Sequence, residues 1–156
     1  PDLPQRDQHF PIDKLGDAKG ALNVAYSAIW FSYSHYLWNN YLLAQNVPCY
    51  EYYFTKTNNS LSNYHAGELP YAYGNLWRHP GLYDEEDYEL SEIMQQYWVN
   101  FAKTGDPNGK GLPEWKALGE DQKQLINFDT EVKMVDDPNT DIYPIIDAYQ
   151  ESVKEH

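Results

Sequence analysis

Along residues 17–46 large side chains recur every third or fourth position. Phe31, His35, Trp38, Tyr41, Leu42 and Gln45 keep this spacing, and Trp38, Tyr41 and Leu42 form an apolar stripe, the pattern of a helix with one apolar face. Asp17 suits the N-cap, and Asn46-Val47-Pro48 suits the stop. Gly20 and the segment 27–34 are candidate breaks into two helices. The period then changes. "CYEYYFT" (49–55) is short and aromatic, and lies between Pro48 and the polar run "KTNNSLSN". It predicts a strand with bulk on both faces, as inside a sheet.

A second helical pattern starts at Asp84 with an acidic first turn, which suits the positive end of a helix dipole. Tyr88, Ile93, Tyr97, Trp98 and Phe101 supply its apolar face, and "TGDPNG" (104–109) stops it with turn residues. "QLINFD" and "EVKMVD" alternate weakly and predict a peripheral strand pair turning near Thr130. "DIYPIIDAYQESVKEH" predicts a C-terminal helix, with Pro144 tolerable only in its first turn. One central strand cannot build a sheet alone. The order of elements predicts the last units of a larger doubly wound α/β fold. The Pro-spaced start, "PDLPQRDQHFP", has no basic-then-apolar leader pattern and reads as a cut inside a longer chain.

Composition narrows the classes. The 156 residues suffice for one ordinary core, and 42% hydrophobic with 16% aromatic content argues for a packed protein. A formal charge of -13 repels phosphate backbones, so nucleic acid is not an expected partner. Cys49 is the only cysteine, which rules out an intrachain disulfide and a cysteine zinc cage. No apolar run approaches the ~20 residues of a membrane span. The compartment stays open, a secreted or periplasmic one included.

The chemistry-bearing stretch is "NYHAGELPYAYGN" (63–75). On residue type alone His65 can be a catalytic base, a metal ligand or a solvated loop residue. It follows the predicted strand, where open α/β sheets place their chemistry. Gly67 permits a close turn, and Glu68 stands three residues on. The metal reading lacks support: the His65/Glu68 spacing resembles half of a di-iron motif, but no second copy exists. "DPNGKG" (106–111) resembles a calcium loop but has Ala117 where the closing Glu belongs. No cofactor is implied. His9, His35, His79 and His156 lack any such context, and Cys49 reads as buried and inert. None of the seven serines lies in Gly-x-Ser-x-Gly. Trp30, Trp77 and the tyrosines near His65 are read as core packing before any role in lining a gorge. Asn58-Asn59-Ser60 matches a glycosylation sequon.

"YHAGELPYAYGNL" resembles the histidine segment of type B carboxylesterases, the cholinesterase-like branch of the α/β-hydrolase fold. His65, Glu68, Leu69, Pro70, Tyr71, Tyr73 and Gly74 match in place, with tyrosine at 73 where phenylalanine is usual. "QQYWVNFAKTGDPNGKGLPEW" (95–115) resembles the helix and turn that follow in that family, and "CYEYYF" the strand before. The resemblance runs over about residues 17–136. It implies that His65 is the general base of a Ser-His-Glu triad and that Glu68 is a supporting group near it, not its acid. The serine, the oxyanion donors and the acid would then lie upstream, outside this chain. The chain would be the C-terminal part of a single esterase domain acting on a small-molecule ester, inactive by itself. Its partner would be the missing part of the same fold, or a second copy through self-association. The alternative implied by the same family is a non-catalytic binding or adhesion module.

Overall fold

The computed structural model describes residues 18–57, 64–119 and 123–154. Asp17, His9, His156 and the sequon at 58–60 lie outside them. The chain divides into two units, one built from segments within 1–49, 120–123 and 137–156, the other from 50–119 and 124–136.

The first unit opens with helix α1 (Ala18–Ser27), a π turn (Ala28–Ser32) and helix α2 (Tyr33–Leu43). The predicted break at 27–34 is this π turn. Ser27, Ser32 and Tyr33 keep right-handed helical angles, and Tyr33 N–H reaches back five residues to Ala28 O. One residue is thus wound in without breaking the rod. An inserted residue shifts the phase of any side-chain stripe by about 100°. The expected apolar face is not the buried one: Ala21, Ala28, Tyr33 and Asn39 are buried, whereas Trp38 and Tyr41, both beyond the π turn, are 62% and 61% exposed. Trp30 is exposed too, against the expectation of core packing. The stop is as expected. Asn46 is left-handed (φ 57°), Asn46 N–H bonds Leu43 O at 2.9 Å, and Val47 N–H bonds Leu42 O at 3.1 Å. This is the Schellman pattern, with Asn taking the place of the usual glycine. Cys49 is buried, its thiol donating to Val47 O.

Helix α5 (Tyr143–Lys154) carries Pro144 in its first turn and packs against the π turn and α2. Tyr36 stacks on Tyr143 at 4.5 Å between ring centres. Tyr33 Oη donates to Asp147 Oδ1 at 2.6 Å, and Tyr143 Oη to Asp137 Oδ2 at 2.6 Å.

The second unit is a three-stranded sheet with helices on it. Strand β1 (Tyr52–Phe54) is shorter than the predicted 49–55. It pairs in parallel with β2 (Gln124–Phe128), and β2 pairs antiparallel with β3 (Lys133–Asp136). The two late strands are therefore not a separate peripheral pair. Hydrogen bonds from Ile126 N–H to Glu51 O and from Thr55 and Lys56 N–H to Phe128 O join them to β1. Ile126 and Phe128 are fully buried.

Helix α4 (Glu85–Thr104) begins at a capping box. Asp87 N–H donates to Asp84 Oδ1 (3.1 Å), and Asp84 N–H donates to Asp87 Oδ2 (2.9 Å). It ends at Gly105 with φ 77°. Its inward face is Asp87, Leu90, Ser91, Met94 and Tyr97. Tyr97 fits the expectation, while Tyr88 and Phe101, expected on that face, are exposed.

The turn after α4 is an assembled structural element. Asn100 Nδ2 donates to Pro107 O, and Asp106 Oδ1 accepts from both nitrogens of Asn108. Asn108 then clasps the backbone of Trp115, donating to its carbonyl (2.9 Å) and accepting from its N–H (2.8 Å). Trp115 is delivered to β1, where its indole N–H bonds Glu51 O at 3.1 Å. Its ring meets Tyr97, Phe128, Tyr50 and Tyr52 edge to face at 5.3–6.2 Å, an attractive geometry for aromatic pairs. An apolar cleft of about 190 Å³ remains among Tyr50, Tyr52, Trp98, Phe101 and Trp115.

Candidate active site

The segment carrying His65 enters from the end of β1 and leaves through helix α3 (Leu69–Ala72). His65 lies in a turn over residues 65–68, with its side chain exposed. Gly67 N–H donates to Tyr64 O at 2.9 Å, closing a turn whose third residue, Ala66, has φ 67°. This is the type II pattern, which favours glycine at that place. An L-residue there costs roughly 1–2 kcal/mol. The flexibility expected of Gly67 thus sits one residue earlier. Gly67 serves a different need, because a Cβ on it would stand 3.0 Å from Tyr64 O. Leu69 N–H bonds Ala66 O, and Ala72 N–H bonds Glu68 O, so the turn runs directly into α3.

Glu68 is half-buried, and its negative charge is close enough to the Tyr52 hydroxyl of β1 to help raise that phenol. His35 and His79 are exposed and sit on other elements. Trp77 is exposed as well, against its expected core role. Among the described residues no three His, Cys, Asp or Glu side chains gather as a metal site, and no helix is long and apolar enough to cross a membrane.

Two polar residues invisible to pattern reading hold the exit of the turn. Asp87 is fully buried and accepts from the Tyr71 hydroxyl at 2.7 Å. Ser91 Oγ donates to Tyr71 O at 2.8 Å. Lys56, just past β1, is only 7% exposed and lies 3.7 Å from Asp87 Oδ1. It also donates to Glu86 Oε2 (3.3 Å) and Thr130 Oγ1 (3.2 Å). The acidic first turn of α4 was legible as a dipole feature, but nothing local marked Asp87 as the one turned inward.

Gly74 closes α3 at φ 63°, and a Cβ there would fall 2.6 Å from Gln95 Oε1. Gln95 is itself held by Ser91 O and Oγ. Gly74→Ala is expected to destabilise by about 1–2 kcal/mol, mostly from the left-handed backbone, since Gln95 can swing. A urea midpoint equal to wild type would contradict this.

Burial raises the phenols of this unit. Tyr97 is pushed up to about 12 by desolvation alone, and Tyr52 to about 12 by desolvation and then by Glu68. Tyr71 is raised further, by desolvation and then by its bond to Asp87. Their unfolded value is 10.0. The folded state thus favours the neutral phenols; the associated stability is complete below pH 10 and is lost as pH rises towards about 12. Urea midpoints should fall over that window; a flat profile there would count against these burials.

The comparisons agree with the motifs. The carboxylesterase family model matches residues 2–144. The chain is 39% identical over 89 residues to pyrethroid hydrolase Ces2e of Rattus norvegicus, covering 51% of this chain and 16% of that protein. It is 37% identical over 62 residues to cocaine esterase of Homo sapiens, covering 39% and 11%. Among solved structures, a PNB esterase aligns with a TM-score of 0.53 at 32% identity, over 61% of this chain and 20% of that one. The Geobacillus stearothermophilus carboxylesterase Est55 aligns with a TM-score of 0.54 at 34% identity, over 64% and 22%. The chain spans less than a quarter of each of these relatives. It belongs to the carboxylesterase family, and its helices and mixed sheet are part of an α/β-hydrolase fold of the type B, cholinesterase-like kind.

Proposed function

We propose that the protein containing this chain is a serine-type carboxylic-ester hydrolase and that His65 is its general base. The observation that carries this reading is the placement of His65 in a tight turn just past β1, followed by Glu68 and α3. An exposed imidazole on a turn anchored to a sheet can face a nucleophile presented by neighbouring strands. In the first half-reaction the imidazole takes the proton of a serine hydroxyl as that oxygen attacks the ester carbonyl. It then gives the proton to the departing alkoxide. In the second half it takes a proton from water, which attacks the acyl-serine, and returns it to the serine. Glu68, at the start of α3, is a supporting group near the base and is not the acid of the triad. The serine, the acid and the oxyanion donors come from the remainder of the same domain. The substrate is a small-molecule ester.

Two experiments test this. The coding sequence upstream should contain Gly-x-Ser-x-Gly; its absence would favour a non-catalytic binding module. The 156-residue chain, assayed alone with a p-nitrophenyl ester, should show no turnover above buffer, because a base without nucleophile and oxyanion donors stabilises little of the transition state. Turnover that disappears in His65→Ala would overturn the division of the triad.

A further inference from the structure

The His65 segment is fastened at both ends to one buried carboxylate. Lys56 stands at its entrance, where the β1–β2 ladder ends with Lys56 N–H on Phe128 O. Tyr71 stands at its exit, in α3. Lys56 Nζ lies 3.7 Å from Asp87 Oδ1, and the Tyr71 hydroxyl donates to that same oxygen at 2.7 Å. The other oxygen, Asp87 Oδ2, accepts Asp84 N–H at the start of α4. Asp87 is 0% exposed and Lys56 7%, so both groups are withdrawn from water and their attraction is little screened. Helix capping alone explains one oxygen of Asp87. It does not explain a buried lysine, nor a tyrosine hydroxyl brought from the His65 side onto the second oxygen. Thr130 and Glu86 complete the lysine's contacts, leaving Lys56 few ways to move.

We propose that Asp87, gripping Lys56 and Tyr71, is a positioning residue for His65. It links the end of β1 to α3 and sets where the turn at 65–68 stands relative to the sheet. A displacement of about 1 Å in a catalytic group can cost on the order of 10²-fold in rate. The inference rests on the reading of His65 as the base.

The test uses the full-length esterase. Tyr71→Phe removes the hydroxyl and keeps the ring against Phe54 and Tyr83. Lys56→Met removes the other grip without touching the turn. Each is expected to lower kcat about five- to tenfold with KM within about twofold, and to speed amide exchange in residues 64–73 while peptides from the second half of α4 stay unchanged. Should Lys56→Met fold poorly for want of a counter-ion, Tyr71→Phe still decides. Unchanged kcat with unchanged exchange at 64–73 would leave Asp87 as a helix cap only. A loss confined to KM would likewise overturn the proposal. His65→Ala, run alongside, separates the two readings: if it keeps full turnover the base assignment falls, while the exchange result still shows whether the clamp holds the turn.

Discussion

With His65 as the proposed base, His65→Ala in the full-length protein is expected to lower ester-hydrolysis kcat by roughly 10³-fold or more, with KM changed far less. A base acts on the transition state, where a proton is in flight, and contributes little to ground-state binding. The turn should survive the change, because its geometry comes from backbone bonds (Gly67 to Tyr64, Leu69 to Ala66) that need no imidazole. Loss of rate would then report chemistry and not unfolding, and an unshifted thermal midpoint would confirm it. His35→Ala and His79→Ala, on exposed positions elsewhere, should leave kcat within about twofold. A His65→Ala enzyme as fast as wild type would remove this residue from the mechanism.

Trp115→Ala is expected to produce the largest loss of stability, about 3–5 kcal/mol. The ring is 5% exposed and touches aromatic neighbours from β1, β2 and α4. Removing it leaves a cavity between a strand and a helix, and also leaves Glu51 O without its indole partner. Trp115→Phe keeps most of the ring area but not the N–H, so it should cost less, about 1–2 kcal/mol. Urea unfolding of the full-length protein would measure both. A cost below about 1 kcal/mol for the alanine variant would mean that the cluster does not hold β1 against α4.

Much of this architecture was legible because its causes are local. Helix α4 was announced by Asp84, by its acidic first turn and by Gly105, and each acts within a turn of the chain. The end of α2 was written in Asn46 and Pro48. The His65 segment was legible as a motif, and the structure puts it in a turn beyond β1 as expected. The misreadings have a common origin. The stripe of Trp38, Tyr41 and Leu42 lies on α2 at helical spacing, but spacing does not decide which face finds a partner, and Trp38 and Tyr41 are exposed. The inward face of α4 was assigned to its aromatics, yet Asp87 and Ser91 point inward while Tyr88 and Phe101 do not.

What the chain by itself determined is where helices and strands start and stop, and which residue types stand beside the histidine. Backbone propensity, capping and turn chemistry act over a few residues and need no partner. Only the tertiary structure decided which polar groups are buried and what they hold. Glu51 meets Trp115 across 64 positions, Lys56 meets Thr130 across 74, and β1 finds β2 in parallel rather than leaving a separate hairpin. A buried charge is tolerable only when its partner arrives, and those partners come from distant segments. No local pattern can therefore mark Lys56 or Asp87 as interior, or Ala66 as the residue that bends backwards to present His65.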